Sequence, residues 1–424
     1  MRVLIVGGGG REHALVWALA RDPAVAGIVC APGNAGMASL ATCVPADVAD
    51  RSTLLALAVA EQADLTIVGP ELPLTTGVVD LFAANGRAIV GPTRAAAELE
   101  SSKAFAKDFM ARHRVPTARY RICDNPDAAL ATLASGEFGY PVVLKADGLA
   151  AGKGVVVAPD RQAAEMAVRA AMVEKRFGDA GARLVVEECL EGEEASFFVL
   201  TDGRAVVPLP SAQDHKRAFD HDRGPNTGGM GAFAPSPLVD LALTRRVLDA
   251  IVHPVIEGMR AEGREYRGFL YVGLMLTRDG PKVVEFNVRL GDPETQVVLP
   301  LVDSGLLPLL VQVAAGRLES TACAVRDGAA VGVVLASAGY PEKYEAGKPI
   351  TGLDRAASMR DVIVFHAGTA RRGDDIVTAG GRVLTVVGLG GGYRQAIARA
   401  YEAAGAVSFE GRHMRRDIGQ KAVG

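Results

Sequence analysis

Glu285, Asn287 and Arg289 alternate along the run "VVEFNVRLGDPETQ". Side chains of an extended strand point to opposite faces with period two. A carboxylate, an amide oxygen and a guanidinium therefore share one face, and Val284, Phe286 and Val288 take the other. The two oxygens suit Mg²⁺, which prefers oxygen ligands and keeps waters and nucleotide phosphates in its shell. The guanidinium suits a phosphate or carboxylate. The plain alternative is a solvent-facing polar row on an amphipathic strand, but a charged row between apolar strands needs partners.

A second candidate is "KADGLAAGKGVVVA", residues 145–158. It departs from the phosphate loop G-x-x-x-x-G-K-[ST]. Gly148 and Gly152 stand one residue too close, and Lys153 is followed by Gly154 where a hydroxyl belongs. A phosphate loop also runs from strand into helix, so that a helix N-terminus faces the phosphates. Here "PVVLKA" and "KGVVVA" both read as strands, so the segment is a glycine-rich β-hairpin in a small α+β unit. Lys145, in an apolar strand beside the loop, is either a phosphate ligand or an outward-pointing residue; the hairpin and the acidic strand together favour phosphate. "VVEECLEGEE" is a strand end followed by a turn. Such a segment can meet an adenine edge with backbone groups and offer one carboxylate to ribose hydroxyls, although acidic turns are often merely solvated.

These residues need a frame. Residues 1–101 alternate strand and helix: "RVLIV" runs through "GGGG" into "REHALVWALA", "GIVCA" ends in "PGNAG", Ser52 caps "TLLALAVAEQ", and "DLTIVG" and "RAIVG" are further strands. That alternation predicts a doubly wound parallel sheet, an N-terminal Rossmann-like domain whose ligands sit at strand carboxyl ends. "GGGGREH", "APGNAG" and "VGPELP" fall there. The dinucleotide fingerprint G-x-G-x-x-G fails, with Glu12 or His13 where its last glycine belongs. No acidic residue ends the second strand either; it runs into Ala31 and Pro32. The better reading is a helix N-terminus aimed at a phosphate, with Arg11 and His13 in reach.

Residues 102–327 form a second unit, with a lid subdomain over about 120–188. "SSKAFAKDFMARH" is a helix ending before Pro116. "LALTRRVLDAIVHPVIEGM" puts Leu243, Val247, Ile251 and Val255 on one helical face. "FLYVGLMLT" and "PKVVEFN" flank an Asp-Gly hairpin turn, and a long apolar helix is expected from Thr295 to Ala315. Residues 328–424 are β-rich and glycine-punctuated ("AAVGVVLAS", "VIVFHAG", "GRVLTVVGLG") and read as a C-terminal domain.

Composition bounds the function. The chain has 424 residues, 49% hydrophobic and 22% charged, with net charge −3, which argues against a general nucleic-acid binder. No run approaches the ~18 apolar residues a membrane helix needs, and "MRVLIVGGGG" is too short an apolar run for a signal peptide. The five Cys form no CxxC pair and the seven His no HExxH, so a reducing cytoplasm, buried thiols and no zinc site are expected.

The strand, the hairpin and the lysines together describe an ATP-grasp site, with ATP between a mobile lid and a magnesium-bearing strand. The chain resembles the glycinamide ribonucleotide synthetase (phosphoribosylamine–glycine ligase) family. "GGREHAL", "APGNAG", "GPTRAAAELESSKAF", "KADGLAAGKGV", "EGEEASF", "QDHKRAFDHDRGPNTGGMGAF", "EFNVRLGDPETQ", "FHAGT" and "RRDIG" carry the resemblance, in the family's order and over nearly the whole chain. Met37, Val288 and Leu290 depart from the usual apolar choices. By this resemblance Lys103 and Lys145 hold ATP phosphates, and the hairpin including Gly152, Lys153 and Gly154 closes over them. Glu187 and the backbone of Cys189 and Leu190 meet adenine, and Glu194 takes the ribose. Glu285 and Asn287 bind Mg²⁺, with Mn²⁺ as a possible substitute. Arg289, Asp214 and Lys216 serve the reaction itself. Glycine or its acyl phosphate lies by Arg289 and the loop of Asp292, Pro293, Glu294 and Thr295; Asp214, Lys216 and the loop of Asn226, Thr227, Gly228 and Gly229 border the acceptor amine. Gly9, Gly10, Arg11, Glu12, His13, Gly33, Asn34 and Glu71 cradle 5-phosphoribosylamine. The resemblance implies a monomeric cytoplasmic ligase of small molecules, without nucleic-acid or membrane partners. Another ATP-grasp ligase or carboxylase should lack "GPNTGGMGA" and "GDPETQ"; a non-catalytic ATP sensor would bind nucleotide without turnover.

Overall fold

The computed structural model describes residues 1–149, 154–320 and 322–423. Gly152 and Lys153 lie outside the described residues. The N-terminal unit is a sheet of five parallel strands in the order Thr42–Cys43, Gly27–Pro32, Arg2–Gly7, Leu65–Val68, Ile89–Val90. Val3 to Val6 are all buried, as expected where a parallel sheet is covered on both faces. The strand order reverses between Arg2–Gly7 and Leu65–Val68, and "GGGGREH" and "VGPELP" leave the sheet at that crevice. The helix Arg51–Ala60 is capped not by Ser52 but by Asp50, whose carboxylate accepts from Ser52 N and Thr53 N; the Asp holds the non-helical cap position while Ser52 is already helical.

The lid is an antiparallel sheet ordered Tyr120–Cys123, Leu184–Glu188, Val142–Ala146, Val155–Ala158. Helices Pro126–Ser135 and Arg161–Val168 pack on it through Ala129, Leu133, Ala164 and Val168. Lys145 pairs with Val155 across the last two strands, so the glycine-rich segment joins two strands of a hairpin.

A second antiparallel sheet runs Val206–Pro208, Glu193–Thr201, Gly268–Thr277, Gly280–Asn287. Its last strand departs from strict alternation. Glu285 pairs with Gly273 and Val283 with Leu274, so Val284 is bulged out of register. Val283 therefore joins Phe286 and Val288 in the core, and Val284 is only half-buried. Bulges re-aim groups beside functional sites, and this one turns the Val284 carbonyl toward Lys145.

Two helices differ from expectation. The apolar run from Thr295 is not one helix: Thr295–Val298 passes through a 3₁₀ turn, Leu299–Leu301, and a short strand, Val302–Ser304, before helix Leu306–Ala314. Pro300 lacks a donor N–H, and Gly305 has φ +85°, which resets the chain direction. Helices Leu241–Val247 and His253–Ala261 are joined by a π turn, Leu248–Val252, and Pro254 is the second residue of the later helix. Val247, Ile251 and Val255 stay fully buried, while Leu243 is half-buried.

The C-terminal sheet is ordered Gln213–Asp214, Gly231–Ala234, Ala329–Ala336, Arg382–Gly390, Val362–His366, with helix Tyr393–Ala406 packed on it. Its first two strands come from the stretch that carries "QDHKR" and "GGMGAF". The expected division at 327/328 therefore runs between neighbouring strands of one sheet. Among the described residues no helix is long and apolar enough to cross a membrane.

Candidate active site

The site forms where the strand Gly280–Asn287 ends between the lid and the N-terminal sheet. Glu285 faces Gly273, where an added Cβ would stand 3.2 Å from Glu285 Cγ. Lys145 Nζ donates to Val284 O at 2.9 Å and ion-pairs with Glu187, which also pairs with Lys107. Lys107 Nζ donates to Thr117 Oγ1 at 2.8 Å. All three charged side chains are buried. Burial pushes the Lys107 ammonium down to about 8, although the Glu187 carboxylate opposes it. The sequence reading missed Lys107; its signal was the one-turn spacing from Lys103 on helix Lys103–Arg112. The Glu187 carboxylate, assigned to adenine by resemblance, is engaged by two lysines. Cys189 and Leu190, at the following turn, are half-buried.

The base of the glycine hairpin is tied to that same helix. Asp147 Oδ1 accepts from Ser102 Oγ at 3.0 Å and from Ala104 N at 3.1 Å, and Lys103 Nζ donates to Gly148 O at 3.3 Å. Gly154, at the other end, accepts the Ala146 N–H. The ends of the loop are thus anchored beside both proposed phosphate lysines.

Across the cleft, Lys216 pairs with Glu194 at 2.5 Å, which joins a residue assigned to the acceptor amine with one assigned to the ribose. Ser196 Oγ donates to Glu294 Oε1 at 3.2 Å and lies 3.2 Å from Tyr271 OH; neither Ser196 nor Tyr271 stood out in the sequence. Burial would raise the Glu285 carboxyl, but Lys216, Lys145, Lys103 and Arg289 outweigh it and hold it below the usual range. Burial pushes Asp214 up to about 7; Lys216 opposes this and Glu294, Glu194 and Glu285 add to it. Two carboxyl groups of one cleft are therefore in opposite states, one a standing anion and one able to take a proton near neutrality.

Among the described residues no group of three or more His, Cys, Asp or Glu side chains forms a metal cage. Glu285 and Asn287 supply two oxygens beside the lysines, a donor set that fits Mg²⁺ carried by nucleotide phosphates.

Arg289 is clamped by Glu71 at 3.2 Å and Glu100 at 3.1 Å. Glu100 also accepts the Val288 N–H at 2.7 Å. It lay unassigned in "AAAELESSK", where a glutamate among alanines reads as a solvated helix face. The loop after Arg289 is self-bonded: Gln296 Nε2 donates to Asp292 Oδ1 at 2.8 Å and Thr295 Oγ1 to Gly291 O. Pro293, Glu294 and Thr295 are buried.

The N-terminal loop, expected to cradle 5-phosphoribosylamine, is shaped by contacts to other protein groups. Gly9 N–H is already taken by Glu12 Oε2 at 2.6 Å, and Arg11 is held by Glu12 at 2.6 Å and by Leu290 O at 3.2 Å. His13 Nδ1 accepts from His366 N at 2.8 Å, and its ring packs edge-on against Phe365. Burial lowers His13 to about 3, helped by His366, so the ring stays neutral and can accept. Gly10 packs against Gln296. Arg11 and His13 thus bind protein groups because a carboxylate caps the helix and the C-terminal domain covers it. Asn34 is likewise committed, donating to Gly8 O at 2.9 Å and His366 O at 2.8 Å, and Gly33 donates to Gly7 O at 3.1 Å with φ +75°. Of this set Gly9, Gly33, Asn34 and Glu71 are half-buried, and Glu71 stands beside Arg289.

In the loop after Lys216, Asn226 is exposed, Thr227 Oγ1 donates to Lys216 O at 2.8 Å, and Gly229 N donates to Thr227 Oγ1 at 2.9 Å. The structure brings together Lys145, Glu187, Glu285, Asp214, Lys216, Glu194, Arg289 and the 291–295 loop. Half-buried Cys43, Cys189 and Cys323 depart from the expectation of buried thiols; Cys30 and Cys123 meet it.

Comparison with known proteins agrees with this geometry. Residues 1–100 match the N domain of phosphoribosylglycinamide synthetase, residues 101–295 its ATP-grasp (A) domain and residues 330–421 its C domain. The chain is 51% identical over 426 aligned residues to a phosphoribosylamine–glycine ligase of Pseudomonas aeruginosa, covering 100% of this chain and 98% of that one. It is 50% identical to the one of Chlorobaculum tepidum, covering 100% of each. The crystal structure of a Thermotoga maritima phosphoribosylamine–glycine ligase superposes with TM-score 0.86 at 36% identity, covering 98% of this chain and 100% of that one. A Campylobacter jejuni biotin carboxylase shares the fold alone, with TM-score 0.74 at 18% identity over 99% of this chain and 94% of that one. The chain has an ATP-grasp fold and belongs to the phosphoribosylglycinamide synthetase family.

Proposed function

We propose that the chain catalyses ATP-dependent ligation of glycine to 5-phosphoribosylamine, giving glycinamide ribonucleotide, ADP and phosphate in purine biosynthesis. The observation that carries this reading is the single cleft in which Glu285 and Asn287, the buried Lys145–Glu187–Lys107 group and the clamped Arg289 meet the loop 291–295.

A glycine carboxylate is a poor electrophile. Attack of its oxygen on the γ-phosphorus of ATP forms a C–O–P linkage and releases ADP. The phosphoribosylamine nitrogen then attacks the carbonyl carbon, the C–O bond breaks, and phosphate departs with one former glycine oxygen. No protein nucleophile is needed, so catalysis is positioning and charge neutralisation. Lys103 and Lys145 neutralise the phosphates, with Lys145 already aimed by Val284 O and Glu187. Mg²⁺, held by Glu285 and Asn287, would screen the transferring phosphoryl oxygens. Glu194 takes the ribose, Lys216 borders the acceptor amine, and Arg289 holds the glycine carboxylate. Asp214, pushed up to about 7, takes the proton that the attacking amine gives up. Water would hydrolyse the acyl phosphate, and the resemblance gives its exclusion to the glycine-rich hairpin, whose base is tied to Ser102 and Lys103.

The test is coupled ADP release with ATP, Mg²⁺ and glycine, with and without phosphoribosylamine generated from ribose 5-phosphate and ammonia. Release that needs both substrates supports the ligase. ATP binding without substrate-dependent release would favour a nucleotide sensor.

A further inference from the structure

We infer that Arg382, together with Tyr340, is a positioning residue for the acceptor side of the reaction, locking the loop 226–230 against the loop 291–295 from the C-terminal domain. The inference rests on the ligase reading and adds residues that neither the motifs nor the family roles assigned above include. Arg382 Nη1 donates to Gly228 O at 2.6 Å and to Asp292 O, and lies 3.4 Å from Asp292 Oδ1. Gly228 N–H donates to Tyr340 OH at 2.9 Å. Both backbone groups of Gly228 are thus held by side chains from the C-terminal domain, and one guanidinium spans two loops that the chain separates by more than sixty residues.

The local structure is built for this placement. Ala336 pairs with Arg382 while Leu335 pairs with Leu384, so a register shift at Val383 re-aims the arginine at the head of its strand. A Cβ on Gly381 would overlap the Tyr340 ring, and one on Gly228 would come within 3.1 Å of Arg382 Cζ and 3.2 Å of Tyr340 OH. A Cβ on Gly229, at φ +114°, would overlap Pro293. The paired glycines of "NTGGMG" are therefore needed for close approach to this guanidinium and to the 291–295 loop. Small errors in placing a reacting group can cost about 100-fold in rate. A guanidinium that fixes two substrate loops at once acts on that term without touching substrate.

The experiment is steady-state kinetics on Arg382→Ala, Arg382→Lys and Tyr340→Phe in the full chain, with ATP affinity measured separately by equilibrium binding. The expected result for Arg382→Ala is a loss of about 100-fold in kcat/KM for phosphoribosylamine, with Kd for ATP unchanged. Arg382→Lys, which keeps one donor, should recover part of the loss, and Tyr340→Phe should lose about tenfold. Unchanged kcat/KM in Arg382→Ala, or ATP affinity falling in step with it, would overturn the inference. If Arg382→Ala does not fold, the Tyr340→Phe split between acceptor and ATP parameters decides in the same way. A wild-type chain that forms no amide would instead defeat the ligase reading, since that sample has both side chains intact.

Discussion

Glu285 lies on the strand Gly280–Asn287 and Arg289 two residues beyond its end, and their surroundings set different tasks for them. Glu285 is kept anionic by four cations that outweigh its burial. Its replacement by Ala is expected to lower kcat by about 100-fold or more while leaving the unfolding transition near that of the wild type; unchanged turnover at saturating Mg²⁺ would contradict its role. Arg289 is half-buried between Glu71 and the buried Glu100. Glu100→Ala removes one of its carboxylates and the acceptor of Val288 N–H, and removing one partner of a buried pair costs about 3 kcal/mol. Denaturant unfolding of this variant should show that loss, and a midpoint equal to the wild type would refute it. The polar row was legible because strand alternation exposes it in one dimension. Glu100, Lys107, Ser196 and Tyr271 were not, because their partners lie far away in sequence and each alone resembles an ordinary helix or strand residue.

At the scale of elements, the hairpin joining Val142–Ala146 to Val155–Ala158 was readable from two apolar runs around a glycine loop. The bulge at Val284 was not readable, since it is set by pairing with Gly273 and Leu274 on the neighbouring strand. The apolar run from Thr295 misled because hydrophobicity alone cannot locate a break, although Pro300 and Gly305 marked it. A further element-level feature is the C-terminal segment "RRDIG". Arg415, fully buried, bonds Asp417, Asp222 at 2.9 Å and Arg217 O at 3.1 Å, and His221 N donates to Asp417 at 2.9 Å. It thereby pins the hairpin Arg217–Phe219/Arg223–Asn226 that leads into the acceptor loop. Burial would raise Asp417, but its bonds from Arg415 and His221 and the Arg415 charge hold it well below the usual carboxylate range. A depressed carboxyl contributes stability that is full above its unfolded pKa of about 4 and is lost as pH falls through the folded value. Asp417→Asn should cost about 2–3 kcal/mol at neutral pH and flatten the acid limb of stability below about pH 4. Unfolding curves from neutral to acid pH check this; an acid limb as steep as the wild type's would contradict it.

Over the whole molecule, the parallel N-terminal sheet, the lid and the β-rich C-terminal region could be read from alternation and punctuation. Their interlocking could not. Strands Gln213–Asp214 and Gly231–Ala234 belong to the C-terminal sheet, and His366 and Asn34 join the C-terminal domain to the first loops of the chain. Such pairings depend on three-dimensional register between distant segments, which local periodicity does not encode. The N-terminal loop, read from the sequence as a phosphate cradle, also seats the C-terminal domain through these contacts. The proposed reaction activates a carboxylate by phosphoryl transfer and captures it with an amine in this one cleft. The most direct measurement uses glycine labelled with ¹⁸O in both carboxylate oxygens, ATP, Mg²⁺ and phosphoribosylamine, with mass analysis of both products. Transfer of one ¹⁸O to phosphate for each amide formed is the predicted result. Amide formed without ¹⁸O in phosphate, or ADP released without amide, would contradict the central claim.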